Sequence, residues 1–96
     1  MSKHKNIKSL VRKLTTLTVY HAEKIISTEH QLEKEIVPML KNSSTKSETY
    51  KEILAKAKEL NILATASVMQ SMHTKLATSI QIESIQRDLI ALSEEL

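Results

Sequence analysis

The sequence predicts an all-α protein built from two long helices, and three features of its 96 residues carry that expectation. Apolar residues recur at steps of three or four through both halves, the spacing that lines one face of a helix. Glycine is absent and proline occurs once, so the residues that usually make turns and helix ends are nearly missing. From Leu60 to Ile82 the only formal charge is Lys75, and a helix of such low charge expects protein on more than one side.

The first predicted helix spans residues 4–37. Ile7, Leu10, Leu14, Leu17, His21, Ile25, Thr28, Leu32 and Ile36 fall on one line along it. Thr15 to Val19 is its weakest stretch, because β-branched side chains lose rotamer freedom in a helix. Pro38 either ends the helix near Ile36 or kinks it so that it runs out by Lys41: its ring removes a hydrogen bond and pushes the preceding residue away from helical dihedrals.

Residues 38–45 form the predicted loop. Thr45-Lys46-Ser47-Glu48 has the form of a capping box, in which hydroxyl and carboxylate satisfy each other's orphan amides. It opens a second helix over 46–95, with no residue that breaks helices between there and the end. Continuous, that helix would be about 75 Å long at 1.5 Å per residue, and the first would cover only part of it.

At 100° per residue, Tyr50, Ile53, Ala57, Leu60 and Ala64 share one face of the second helix. Ile82, Ile85, Leu89 and Leu92 return to nearly the same face, at steps of three and four like a coiled-coil seam. Between these runs the apolar positions switch: Met69, Met72, Leu76 and Ile80 lie away from the seam, whereas Ser67, Ser71, Thr74 and Thr78 lie on it. One partner helix cannot cover both faces. Two arrangements satisfy the pattern. In the first, which the absence of glycine and proline favours, an antiparallel, coiled-coil-like hairpin is completed by oligomerisation or by partner helices. In the second, the helix breaks near residues 64–67 and closes a three-helix bundle.

Composition favours help from other chains. Two tyrosines are the only aromatic residues, and rings supply much of the buried area in compact cores; a small monomer without them is marginal. The chain reads as one unit, residues 1–96, with a hairpin core of Ile7, Leu10, Leu14, Leu17, Ile25, Leu32, Ile53 and Leu60. Its expected protein interface is Met69, Met72, Leu76, Ile80, Ile82, Ile85, Leu89 and Leu92.

The net charge of +3 is unevenly placed: residues 1–48 hold nine Lys or Arg against five acids. Lys5, Lys8 and Arg12 form a basic face opposite Leu10 and Leu14. The basic N-terminal stretch lacks a continuous apolar core, so no secretory signal is expected, and Leu60–Ile82 is too polar for a membrane span. The expected location is cytoplasmic or nuclear.

Catalytic chemistry finds no support. There is no cysteine, and no glycine with which to build a phosphate-cradling loop or a nucleophile elbow. None of the four histidines has a Glu-x-x-His or His-x₃-His partner one turn away, so neither a metal nor another cofactor is expected. Glu29 and Glu33, one turn apart, read as solvated surface. The expected function is a non-enzymatic structural or interaction subunit, a scaffold, tether or adaptor joined to other helical chains through apolar faces. The alternative is a peripheral module that binds an anionic membrane or nucleic acid through Lys5, Lys8 and Arg12.

Overall fold

Each of the two expected helices is divided in the structure. This is a computed structural model that describes residues 3–41 and 47–96, with the side chains of the first segment described from residue 5. Helix α1 spans Lys3–Thr16, a 3₁₀ turn spans Val19–His21, and α2 spans Ala22–Leu40. Helix α3 spans Ser47–Ser67 and α4 spans Met72–Glu94. The described residues are helical or connecting, with no strand.

The first division corrects the continuous helix expected over 4–37. It falls within the β-branched run, at Leu17 and Thr18. Thr18 is extended (φ −119°, ψ 177°), and its hydroxyl accepts from the Tyr20 amide at 3.2 Å. Its carbonyl accepts from the His21 amide at 2.9 Å. A side chain that offers the backbone such bonds competes with the helix itself. The break resets the phase of the apolar line: Val19 and Ala22 turn inward and His21 is exposed, its Nδ1 sharing a hydrogen bond with Thr18 Oγ1 at 3.2 Å.

The second division corrects the helix expected over 46–95, and lies just beyond the 64–67 stretch where the bundle alternative required a break. Val68, Met69 and Gln70 donate to the carbonyls three residues back, which tightens the helix end. Buried Ser67 turns its hydroxyl onto the Ala64 carbonyl at 2.7 Å. Ser71 then caps α4, accepting from the Thr74 amide. No described residue has a positive φ, so both bends are made without the backbone that glycine favours.

At Pro38 the second of the two expected outcomes holds, so the loop expected over 38–45 is corrected at 38–40, and its residues 42–45 lie outside the described residues. Helix α2 runs through the proline to Leu40, and Met39 and Leu40 pack half-buried against the core. That burial offsets the lost hydrogen bond. Of the capping box, Thr45 and Lys46 lie outside the described residues; α3 begins at Ser47 with Glu48 in its first turn.

Each helix packs against two others: α1 against α2 and α4, and α3 against α2 and α4. Neighbours run antiparallel, as short connections require. Lys58 and Asn61 of α3 reach Glu33 and Glu29 of α2, and Lys56 of α3 reaches Asp88 of α4. The molecule measures 44 × 21 × 19 Å, far shorter than a continuous second helix would be. Ile7, Leu14, Ile25, Leu32, Ile53 and Leu60 are buried in its core, with Leu10 and Leu17 half-buried against them.

Candidate functional site

The eight residues expected at a protein interface separate into two groups. Ile82, Leu89 and Leu92 are buried in the chain's own core, and Ile85 is half-buried against it. Once α4 folds back beside α3, the seam is covered from within. Met69, Met72, Leu76 and Ile80 instead remain 89%, 68%, 61% and 67% exposed. The reason is azimuth: at 100° per residue, Met72, Leu76 and Ile80 lie roughly a quarter to almost half a turn from buried Ile82.

The apolar face extends beyond α4. Val68 and Tyr20 are also more than half exposed. The Tyr20 hydroxyl lies 3.9 Å from the Met72 sulfur, and Lys75 Nζ lies 6.0 Å from the centre of the Tyr20 ring. These contacts bring the 3₁₀ turn and the start of α4 into one surface, with a cation over the ring face. Tyr20 and Val68 were missed in the sequence, because their position depends on where the two bends fall.

A second apolar depression lies between α3 and α4, where Ile62, Leu63 and Ile85 are rimmed by Lys56, Glu59 and Asp88. Lys56 bridges to Asp88 at 3.3 Å and to Glu59 at 3.6 Å. Asp88 first, then Glu59, hold the Lys56 ammonium above its ordinary range.

The basic face is present on α1, where Lys5, Lys8 and Arg12 are exposed. It is not set apart: Lys8 and Arg12 line a cleft against α4 that also contains Ile90 and Glu94. The expected solvated pair Glu29 and Glu33 is corrected. Glu29 is buried on the α2–α3 interface, where it accepts from the Asn61 amide, while Glu33 pairs with Lys58 nearer the surface. The matching polar residue, Asn61, stands 32 positions away, beyond the reach of local spacing.

No group of three or more potential metal-ligating residues occurs among the described residues, and no helix among them is long and apolar enough to cross a membrane. The geometry offers a surface of exposed apolar side chains from the 3₁₀ turn and α4, with Lys75 over the Tyr20 ring. No family model, curated protein or solved structure matches the chain.

Proposed function

We propose that the chain is a self-closed antiparallel bundle that serves as a non-enzymatic interaction subunit, joining helical partners through the outer face of α4. The observation that carries this reading is the exposure of Met69, Met72, Leu76 and Ile80 on one side of a chain that buries its other apolar seams. Large contiguous apolar patches are uncommon on isolated monomers and mark contact surfaces. Methionine suits such a surface because its unbranched thioether adapts to irregular partners. Tyr20 adds an amphipathic ring of the kind enriched at interfaces.

The test is a comparison of wild type with Leu76→Asp/Ile80→Asp by circular dichroism, sedimentation and photocrosslinking from position 72 in the cell of origin. The variant keeps its helicity and melting temperature but loses every association made through α4. A wild type that stays a single 10.9 kDa species and crosslinks to nothing contradicts the reading.

The second reading, attachment to an anionic surface through Lys5, Lys8 and Arg12, rests on the exposure of all three along α1. The cleft that Lys8 and Arg12 share with Glu94 weakens it, since an acid beside the cations opposes an anionic ligand.

A further inference from the structure

We propose that the partner on the α4 face is a second copy of this chain, docked antiparallel about a two-fold axis; this rests on the reading of that face as an interaction surface. Along the outside of α4 run Leu76, Ile80, Glu83, Arg87, Ile90 and Glu94, every one of them exposed. Their steps are 4, 3, 4, 3 and 4, the repeat that keeps one stripe facing a partner helix. Helix α4 therefore carries two stripes: a buried one closing its own core and an exposed one, whose last residues Ile90 and Glu94 also border the cleft with Lys8 and Arg12 of α1.

The order of residue types on the exposed stripe selects the occupant. In an antiparallel pair with its axis midway between Glu83 and Arg87, Glu83 faces Arg87 of the second copy, and Arg87 faces its Glu83. Ile80 faces Ile90 of the second copy on either side of these ion pairs. Leu76 faces Glu94 at the ends, the layer that adds least. A parallel, in-register pair would stack Glu83 on Glu83 and Arg87 on Arg87, which like-charge repulsion opposes. The stripe is thus complementary to itself in one direction only, as an isologous two-fold interface requires.

Glu83 and Arg87 are also available. Among the described residues neither makes an ion pair within the chain, although they stand one helical turn apart. An anionic bilayer fits this stripe less well, because Glu83 and Glu94 would face its headgroups. Met69 and Met72 lie beyond the paired stretch and stay open to a different chain.

Charge reversal tests the alignment. Sedimentation equilibrium from micromolar to millimolar concentration compares wild type with Glu83→Arg, Arg87→Glu and the double variant that exchanges both. All of these positions are exposed, and circular dichroism confirms that each variant folds. The wild type forms a dimer; each single reversal raises its dissociation constant about tenfold or more, and the double exchange returns it to near the wild-type value. A wild type that is monomeric throughout overturns the proposal, as do single reversals without effect or a double exchange that fails to restore pairing. Leu76→Asp/Ile80→Asp separates the two levels. If it abolishes dimers that ignore the charge reversals, the α4 face is still a contact surface and the antiparallel register is overturned.

Discussion

The side-chain amide of Gln86 donates to the carbonyl of Leu17 at 2.7 Å, and to that of Leu14 at 2.9 Å, across the α1–α4 interface. A helix end leaves its last carbonyls without intrahelical partners, and here one buried glutamine from another helix satisfies two of them. The bend after α1 is therefore held by tertiary contact as well as by local turn residues. Gln86→Leu removes both bonds and leaves those carbonyls unsatisfied, at a cost of about 1–3 kcal/mol. Urea unfolding checks this; an unchanged midpoint would show that the bend needs no such support.

The two apolar stripes of α4 differ in kind. Leu89 is fully buried, so Leu89→Ala destabilises by about 2–5 kcal/mol. Leu76→Ala and Ile80→Ala alter the monomer's thermal unfolding little, because those side chains face solvent. Equal losses at buried and exposed positions would place both stripes in one core.

Ser71 stands at the head of α4 with its hydroxyl 3.4 Å from the Thr74 amide. Ser71→Ala removes that cap and lowers stability by about 0.5–2 kcal/mol, whereas Ser71→Asp retains it. Thermal unfolding of the two variants gives the comparison. Equal destabilisation by alanine and aspartate would mean that the hydroxyl is not acting as a cap.

The Glu33–Lys58 pair gives stability a pH dependence at both ends. Its hydrogen bond and charge hold the Glu33 carboxyl below its ordinary 4.5 and the Lys58 ammonium above its ordinary 10.5. A carboxyl whose folded pKa is lowered contributes stability above its unfolded pKa, which is lost as pH falls through the folded value. A lysine raised in the same way contributes below its unfolded pKa, and that share is lost as pH rises through the folded value. Glu33→Gln therefore lowers the melting temperature slightly at neutral pH, and the gap to wild type closes below pH 4.5. A gap that stays constant from neutral to acidic pH contradicts this. Both side chains are well exposed and screened by solvent, so the effect is small.

Helical class and most inward positions were legible in the sequence, because the 3.6-residue period survives inside each segment: Ile7 and Leu14, Ile25 and Leu32, Ile53 and Leu60 all face the core. The two bends were legible only in part: Thr15 to Val19 was the weakest stretch and a break near residues 64–67 was the alternative, without a signal to fix either. Their signals are single hydroxyls, Thr18 and Ser71, without the glycine or carboxylate that makes a helix end conspicuous. Where the bend at Thr18 reset the phase, the inference for His21 failed with it. Glu29 and Gln86 were missed for another reason: their partners, Asn61 and the α1 carbonyls, are distant in sequence and meet only after packing. Met69, Met72, Leu76 and Ile80 were readable as a face apart from the seam, because their spacing turns them away from it; that they stay exposed follows from how the bundle closes.

The two bends among the described residues are made without a positive φ, and this widens the choice of residues that can stand there. A turn that depends on a left-handed glycine is inherited or lost as a whole, since no other residue substitutes comfortably. Here the bends rest on ordinary residues in extended or helical dihedrals, with Thr18 and Ser71 at their centres. Each bend therefore admits more residue types than a left-handed turn would, because extended and helical dihedrals are open to ordinary L-residues.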